Sequence, residues 1–436
     1  MSSVNVGLIG FGTIGSGVAK ILIEDADLIE NKLGRPINLK KIADLDIETP
    51  RPVQLPPGLL TREVKDVLGD PDIGIVIELV GGYEPARTFV LEALAAGKHV
   101  VTANKALLAR HGREIFEAAA ANHVDVLYEA AVAGAIPIIR GLKEGLTANR
   151  IDYLFGILNG TSNYILTKMT REGVEFAQAL AEAQERGYAE ADPTFDVEGV
   201  DTAHKLAILI GLAYGLQVDL DDIHVEGISG LDPIDIRFAE EFGYVIKLLA
   251  ISSQDGGRIE ARVHPTMLPA DHLLSDVNGV FNAIHVHGHA AGDLLFYGRG
   301  AGMMPTAGAV VADVIELARA IRTGAAGRVP PMSWASTRGA DLKPRPMSEV
   351  ETTYYFRFSA LDKPGVLSRI SGVLGEHRIS ISAVIQKGRE QAGAVPIVML
   401  THEARESDVR RALDELDRLD VVRGRTVVIR VEDRLR

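Results

Sequence analysis

The sequence runs to 436 residues, 47% of them hydrophobic and 24% charged, the proportions of a globular protein with room for two or three domains. Its 46 basic and 59 acidic residues leave a formal charge of −13 with no basic cluster, which argues against nucleic acid as a partner and for small molecules. The absence of cysteine excludes disulfides, thiolate metal sites and a thioester mechanism. With no signal-like N-terminus and no uncharged apolar run of membrane-spanning length, a cytoplasmic protein free of membrane is expected.

Residues 4–9 form an apolar run that ends in Gly10-Phe11-Gly12-Thr13-Ile14-Gly15 and passes into a helical pattern over 18–23. A G-x-G-x-x-G turn between strand and helix is a dinucleotide signature. Gly10 permits the tight turn, Gly12 lets backbone N–H groups approach a pyrophosphate, and Gly15 lets the helix sit close on the sheet. All six residues are therefore cofactor-binding candidates, with the pyrophosphate on the positive end of the helix. A second strand over 37–43 ends at Asp44 and Asp46. An acid there accepts hydrogen bonds from the adenosine ribose and repels a 2′-phosphate, which favours NAD over NADP. A merely solvated Asp44, or Arg51 or Lys40 turned towards a phosphate, is the alternative.

Residues 73–80 read as a continuous apolar strand of the buried parallel type, followed by Gly81-Gly82 and a helix over 87–96. The next strand, 98–102, ends in Ala103-Asn104-Lys105 before a helix over 106–122. Ligands of open α/β sheets bind beyond the carboxyl ends of strands, so Lys105 is a site candidate. A strand over 124–128 runs into Glu129 and the small residues of 130–137, whose carbonyls, with the Glu129 carboxylate, suit a hard monovalent cation. Glu129 as a cap of the following helix is the other reading.

Beyond residue 151 the pattern gives a strand over 153–158, turn residues 159–163, helices over 163–170 and 176–186, and a polar loop over 187–196. The helix over 200–210 carries Asp201 and Lys205 four residues apart, on one face. An ordinary i,i+4 salt bridge is the plain reading. The helix is otherwise apolar and so buried, which makes an ion pair costly unless it serves chemistry. A short helix within 223–238 and strands over 244–251 and 258–264 follow. His285, His287 and His289 alternate along a further strand, but three histidines on one strand do not close a tetrahedral site and no carboxylate stands near them in sequence, so a metal is rejected. A glycine-rich loop over 297–306, with Gly302, leads into a helix over 310–322 and returns the chain to the cofactor crevice. Residues 328–348 read as a linker. Residues 352–436 show the βαββαβ order of a ferredoxin-like module suited to binding or pairing.

Taken together, Gly10 to Gly15, Thr102-Ala103-Asn104-Lys105, Glu129 to Gly134, Asn159-Gly160-Thr161, Gly187-Tyr188-Ala189-Glu190 and the Asp201-to-Lys205 helix resemble homoserine dehydrogenase followed by an ACT domain, over nearly the whole chain. The resemblance implies an α/β protein with three parts. These are a Rossmann-type dinucleotide-binding domain over 1–135, completed by 303–325; an α+β substrate and oligomerisation domain over 136–302; and, after a linker over 326–351, an ACT domain over 352–436. It implies that Lys105 and Lys205 face the substrate, that Glu190 binds its ammonium group and that Asp201 holds its hydroxyl, with Gly187, Tyr188 and Asp196 in the substrate loop. A Na+ or K+ site is implied at Glu129, Val132, Gly134 and Ile136, and an amino-acid effector such as threonine at the turn Lys363-Pro364-Gly365.

Two departures stand out. Ala43-Asp44-Leu45-Asp46 replaces the arginine that favours NADP in many members, and Phe195 stands where some relatives are acidic, though Asp196 remains. No aspartate-kinase segment is expected. The implied activity is interconversion of L-aspartate 4-semialdehyde and L-homoserine, in threonine, methionine and isoleucine biosynthesis, by a homodimer or homotetramer. The rivals are a dehydrogenase of another short amino or hydroxy acid and a non-catalytic dinucleotide and amino-acid sensor, for which a buried Asp201–Lys205 pair has no evident use.

Overall fold

In the computed structural model, which describes residues 3–335, 342–387 and 394–435, the N-terminal apolar run is strand β1 (Val4–Ile9). It is joined by β2 (Ile37–Ala43), β3 (Leu60–Thr61), β4 (Ile75–Glu78), β5 (His99–Thr102) and β6 (Val126–Leu127). The six strands lie in the order β3-β2-β1-β4-β5-β6, every pair parallel. The order reverses between β1 and β4, and the crevice beyond the carboxyl ends at such a switch point is where open sheets bind ligands.

Strand β1 is buried almost throughout because helices cover the sheet, and Val6, Leu8 and Ile77 share one core with the helices Thr13–Glu24 and Met303–Thr323. Those two helices approach closely at Gly17, where a Cβ would stand 2.9 Å from Met303 Cγ and 3.0 Å from Ala307 Cβ. A helix almost 300 residues downstream thus packs back against the helix that follows the first βα turn.

Contacts divide the chain into two units: Met1–Leu158, Asp201–Ile223 and Phe281–Leu342 form the first, and Asn159–Val200, His224–Val280 and Lys343–Arg436 the second. The first unit also holds an antiparallel sheet of Ile151–Ile157, Phe281–Gly288 and Gly292–Arg299. Residues 297–299, read from sequence as the start of a loop, complete the last of these strands: alternation of half-buried and exposed residues from Gly292 onward is a period-two pattern that the glycines mask. His289 lies past the end of Phe281–Gly288 and so does not share the strand face with His285 and His287; its Nδ1 accepts the Arg150 N–H at 2.9 Å. Of the linker expected over 326–351, residues 336–341 lie outside the described residues. Before them, the Tyr128 hydroxyl donates to the Pro331 carbonyl at 2.6 Å and Trp334 Nε1 to the Leu212 carbonyl at 3.0 Å.

In the second unit, residues 160–163 belong to the helix Gly160–Glu172 and not to a turn. Asn159 caps it, its Oδ1 accepting the Ser162 N–H at 2.8 Å, so the polar run is a helix start in which turn-forming residues do capping work. Tyr244–Asp255 and Arg258–Pro269 pair as one long antiparallel hairpin, extending beyond the stretches read as strands because the polar Ser252, Ser253 and Thr266 are also buried along it. The C-terminal module realises the βαββαβ order: Val427–Val431, Glu351–Leu361, Ala394–Thr401 and Ile381–Gln386 lie side by side, all antiparallel. Alternate residues Phe356 and Phe358 pack against Ile370 and Val409 of its two helices. Among the described residues no helix is long and apolar enough to cross a membrane.

Candidate active site

At the carboxyl end of β1 the backbone of Gly10 takes φ +98°, and a Cβ there would lie 2.6 Å from the Leu79 carbonyl carbon. A Cβ on Gly15 would lie 2.1 Å from the Gly10 carbonyl oxygen, so the turn closes only with glycine at both positions. Gly12 differs: a Cβ on it would meet nothing within 4 Å, and as N-cap of Thr13–Glu24 it offers no side chain to the first-turn N–H groups. Uncapped donors at a helix N-terminus facing open space fit a pyrophosphate. Beside the turn lies a cavity of about 450 Å³ lined by Gly10, Gly12, Asp44, Arg62 and Val80.

The Asp44 carboxylate accepts the Phe11 N–H on one oxygen and the Asp46 N–H, at 2.8 Å, on the other. Lys40 is held by Asp70 and Asp72, both at 2.8 Å. Arg51 donates from Nε to the Phe11 carbonyl at 2.8 Å, pairs with Asp46 at 3.2 Å and stacks over the Phe11 ring. Gly302, at φ +120°, is the N-cap of the Met303–Thr323 helix.

The crevice on the other side of β4 is organised by a residue that the sequence reading passed over. Glu78 ends β4 fully buried. Its Oε1 accepts the N–H groups of Val80 at 2.8 Å and Gly81 at 3.2 Å, and its Oε2 accepts the Thr102 hydroxyl at 2.6 Å. Thr102 Oγ1 in turn accepts the Asn104 N–H at 3.0 Å, while Asn104 Nδ2 donates to the Gly82 carbonyl at 2.7 Å and its Oδ1 caps the next helix at the Leu107 N–H. One carboxylate thereby ties the loop after β4 to the loop after β5. The residue so positioned is Lys105, first of the helix Lys105–Ala121. The signal available in sequence was an acid inside the run Ile-Val-Ile-Glu-Leu-Val.

Lys105 Nζ reaches Asp201 Oδ1 at 3.0 Å, and Asp201 Oδ2 accepts from Lys205 Nζ at 2.7 Å. Lys205 Nζ also donates to the Leu158 carbonyl at 2.6 Å. Asp201 is 3% and Lys205 9% exposed, on a helix, Val200–Tyr214, that is buried from Asp201 onward. The pair is therefore part of a triad in which two ammonium groups share one carboxylate. Such a group carries an excess positive charge in a place poor in water, an arrangement that stabilises negative charge developing on a nearby oxygen. Burial pushes the imidazole of the neighbouring His204 down, Asp201 opposing and Lys105 reinforcing the shift.

The second unit gathers the other candidates. Thr161 donates from its hydroxyl to the Tyr188 carbonyl at 2.6 Å, Asn159 Nδ2 to Asp196 Oδ1 at 2.7 Å, and the Ser162 hydroxyl to the Asp196 carbonyl at 2.9 Å. The loop bearing Gly187, Tyr188, Glu190 and Asp196 is thus fastened to the first turn of the Gly160–Glu172 helix. Gln184 Nε2 donates to the Glu190 carbonyl at 3.1 Å, and Glu190 itself is exposed.

Glu129 is buried and does cap the following helix, its oxygens accepting the Ile139 N–H at 2.8 Å and the Arg140 N–H at 2.9 Å. Its own N–H donates to Asp313 at 2.8 Å, and Arg140 pairs with Asp313 at 2.7 Å. Burial, then the Asp313 charge, pushes the Glu129 carboxyl up to about 7 against those two N–H donors. Ala133 and Gly134 are both left-handed, so the chain turns sharply between Val132 and Ile136. The Ile136 carbonyl accepts the Ile138 N–H at 2.8 Å.

His285 Nε2 and His287 Nδ1 both meet Asp293 Oδ1, at 3.0 and 2.8 Å, so a carboxylate does stand beside them. Hairpin pairing brings it there from the next strand. Among the described residues no group of three or more His, Asp or Glu side chains is arranged to hold a metal ion.

Comparison with known proteins gives a consistent result. The sequence model of the homoserine dehydrogenase NAD binding domain matches residues 10–129, that of homoserine dehydrogenase residues 137–315, and that of the ACT domain residues 354–421. The chain is 45% identical over 432 residues to the homoserine dehydrogenase of Neisseria gonorrhoeae, covering 99% of each chain. Among solved structures, a homoserine dehydrogenase from Thiobacillus denitrificans superposes with a TM-score of 0.92 at 47% identity, covering 99% of each chain. A hyperthermophilic archaeal homoserine dehydrogenase in complex with NADPH gives 0.62 at 27% identity, over 72% of this chain and 98% of that one.

Proposed function

Because the chain belongs to the homoserine dehydrogenase family, and so is an NAD(P)-dependent oxidoreductase acting on a CH–OH group, we propose that Lys205 is its proton donor in the interconversion of L-aspartate 4-semialdehyde and L-homoserine. The observation that carries this is the buried Asp201 carboxylate shared between Lys105 and Lys205. When bound, the nicotinamide supplies or accepts the hydride at the substrate carbon. Lys205 Nζ gives a proton to the aldehyde oxygen as negative charge grows on it, and recovers that proton from the hydroxyl in the reverse direction. The ammonium is worth more in the transition state than in the ground state, which is what accelerates the step. Asp201 orients Lys205 and the substrate hydroxyl, and Lys105 holds the substrate carboxylate or completes the proton relay. Glu190 reads the ammonium group, in a loop shaped by Gly187, Tyr188 and Asp196.

The dinucleotide is assigned to Gly10, Phe11, Gly12, Thr13, Ile14 and Gly15, with Asp44, Lys105 and Gly302. NAD is favoured over NADP because the Asp44 carboxylate stands at the end of β2 beside the turn. Arg51, lying against Phe11, is the group through which a 2′-phosphate would be tolerated. Na+ or K+ is assigned to the Glu129 carboxylate and the carbonyls of Val132, Gly134 and Ile136; the buried carboxylate and the sharp turn at Ala133–Gly134 support an oxygen-lined site. We assign the dinucleotide domain to 1–135 with 303–325, the substrate domain to 136–302 and the ACT domain to 352–436. An amino acid such as threonine is the effector of the last, at the turn where Gly365 takes φ +88°, and the assembly is a homodimer or homotetramer.

Absorbance of reduced nicotinamide, followed with L-homoserine and either cofactor, with and without threonine and with Na+ or K+ replaced by a bulky organic cation, tests these assignments together. Turnover near normal in Lys205→Ala would remove Lys205 from the mechanism.

A further inference from the structure

We propose that Lys247 is a positioning residue for L-homoserine binding, acting through the helix start that carries the substrate loop. Lys247 sits in the Tyr244–Asp255 strand at 1% exposure, and among the described residues its ammonium donates to neutral oxygens: the Val277 carbonyl at 2.6 Å, Asn278 Oδ1 at 3.2 Å and Asn163 Oδ1 at 3.5 Å. A buried cation held by neutral oxygens is expensive, and burial pushes this one down to about 8, Arg171 adding to the effect and Asp276 opposing it. A methionine would fill the same space without that cost. The charge is therefore explained by what it holds in place.

What it holds is the 277–280 segment against the Gly160–Glu172 helix. Asn163 Nδ2 donates to the same Val277 carbonyl at 3.1 Å and to the Gly279 carbonyl at 3.0 Å, and the Gly279 N–H donates to Thr167 Oγ1 at 2.9 Å. The segment then abuts the helix start so closely that a Cβ on Gly160 would lie 2.9 Å from the Val280 carbonyl oxygen. From that first turn Asn159, Thr161 and Ser162 fasten Asp196 and Tyr188. Lys247 thus stands at one end of a continuous chain of hydrogen bonds whose other end is the loop assigned above to the substrate; the inference rests on that assignment.

The test compares Lys247→Met, Lys247→Arg and Glu190→Gln with the parent full-length chain, measuring kcat and KM for L-homoserine and the binding of reduced cofactor by its fluorescence. Loosening the loop costs ground-state and transition-state binding alike, so Lys247→Met raises the homoserine KM by about tenfold, with kcat within about threefold and cofactor affinity unchanged. Lys247→Arg, which restores donors, recovers part of the loss. A folded Lys247→Met protein with an unchanged homoserine KM overturns the proposal, as does an equal loss of cofactor affinity, which would mean a general structural role. Thr167→Val cuts the same tie from the helix side. If Lys247→Met does not fold, a rise in homoserine KM in Thr167→Val supports the proposal and an unchanged value overturns it. Glu190→Gln separates the two levels: an unchanged KM there removes the substrate-loop assignment, whereas a raised KM there beside an unchanged one in Lys247→Met removes only the role of Lys247.

Discussion

Replacing Glu78 by glutamine keeps the shape of the side chain and removes its charge, and the consequence can be followed bond by bond. The amide oxygen can still accept from Val80 and Gly81, but the NH2 group then faces Thr102 Oγ1, which already accepts the Asn104 N–H. The Thr102 proton loses its acceptor, in a site where no water replaces it because Glu78 is fully buried. A hydrogen bond to a charged group contributes about 1.5–3 kcal/mol, and an orphaned buried donor costs a similar amount. Asn104 precedes Lys105 directly, so the loss falls on the lysine that pairs with Asp201. If it is felt there in full, kcat/KM for L-homoserine drops by about tenfold to a hundredfold. Thr102→Val breaks the same bond from the other side, so the double variant is expected to be little worse than either single one, with a coupling energy of about 1–3 kcal/mol in the cycle. Steady-state rates of nicotinamide reduction measure all four corners. A Glu78→Gln protein within about twofold of the parent, or strictly additive losses, would refute the claim that this carboxylate sets the position of Lys105.

Asp201→Asn leaves two ammonium groups facing each other without their carboxylate; a fall in kcat of about a hundredfold or more and a loss of about 3 kcal/mol in unfolding stability are expected, checked by kinetics and denaturant titration. Gly15→Ala should raise the KM for the cofactor by about tenfold or more with folding retained, since its Cβ would lie 2.1 Å from the Gly10 oxygen and must open the turn; unchanged cofactor binding by fluorescence would contradict the close fit. Lys247 bears on stability against pH. Because its folded value is pushed down to about 8 from the ordinary 10.5, above pH 8 the folded protein releases a proton that the unfolded chain retains to about pH 10.5. The unfolded state then binds more protons, and stability rises with pH. Between pH 7 and 10 the parent should gain about 2–3 kcal/mol relative to Lys247→Met in denaturant titrations, and a relative loss would reverse the sign of the argument.

Much of the fold was legible because it rests on local chemistry. The glycine turn after β1 has a steric requirement that only one residue type meets at Gly10 and Gly15, and the apolar strands of a parallel sheet announce themselves by having no polar face. The C-terminal βαββαβ order was readable for the same reason, each element carrying its own period. Where the reading slipped, two local signals competed. Asn159 to Asn163 are turn formers and helix cappers at once, and only the tertiary setting makes them the latter. Tyr297 and Arg299 continue a strand whose alternation is interrupted by glycine.

The site divides along the same line. Asp201 and Lys205 were legible as a pair because both lie on one helix, whereas the sharing of Asp201 with Lys105 joins residues almost a hundred positions apart. Glu78, Asp313 and Lys247 make the point more sharply. Each is a charged residue flanked by apolar neighbours, so its burial was foreseeable from them. Their partners are not: Glu78 meets a residue 24 positions on, Asp313 one 184 positions back, and Lys247 one 30 positions on. A charge in an apolar run must find compensation somewhere, since burying it alone costs more than a folded chain of ordinary stability can spare. What the sequence carries is that obligation, and what the fold supplies is the creditor: the loop after β5 for Glu78, the cap at Glu129 for Asp313, and the 277–280 segment for Lys247. For Glu78 and Asp313 the compensating group lies beside a proposed cofactor or cation residue, and for Lys247 it ties to the helix that fastens the proposed substrate loop. A buried charge on an apolar element is thus a pointer to whichever loop the protein most needs to keep still.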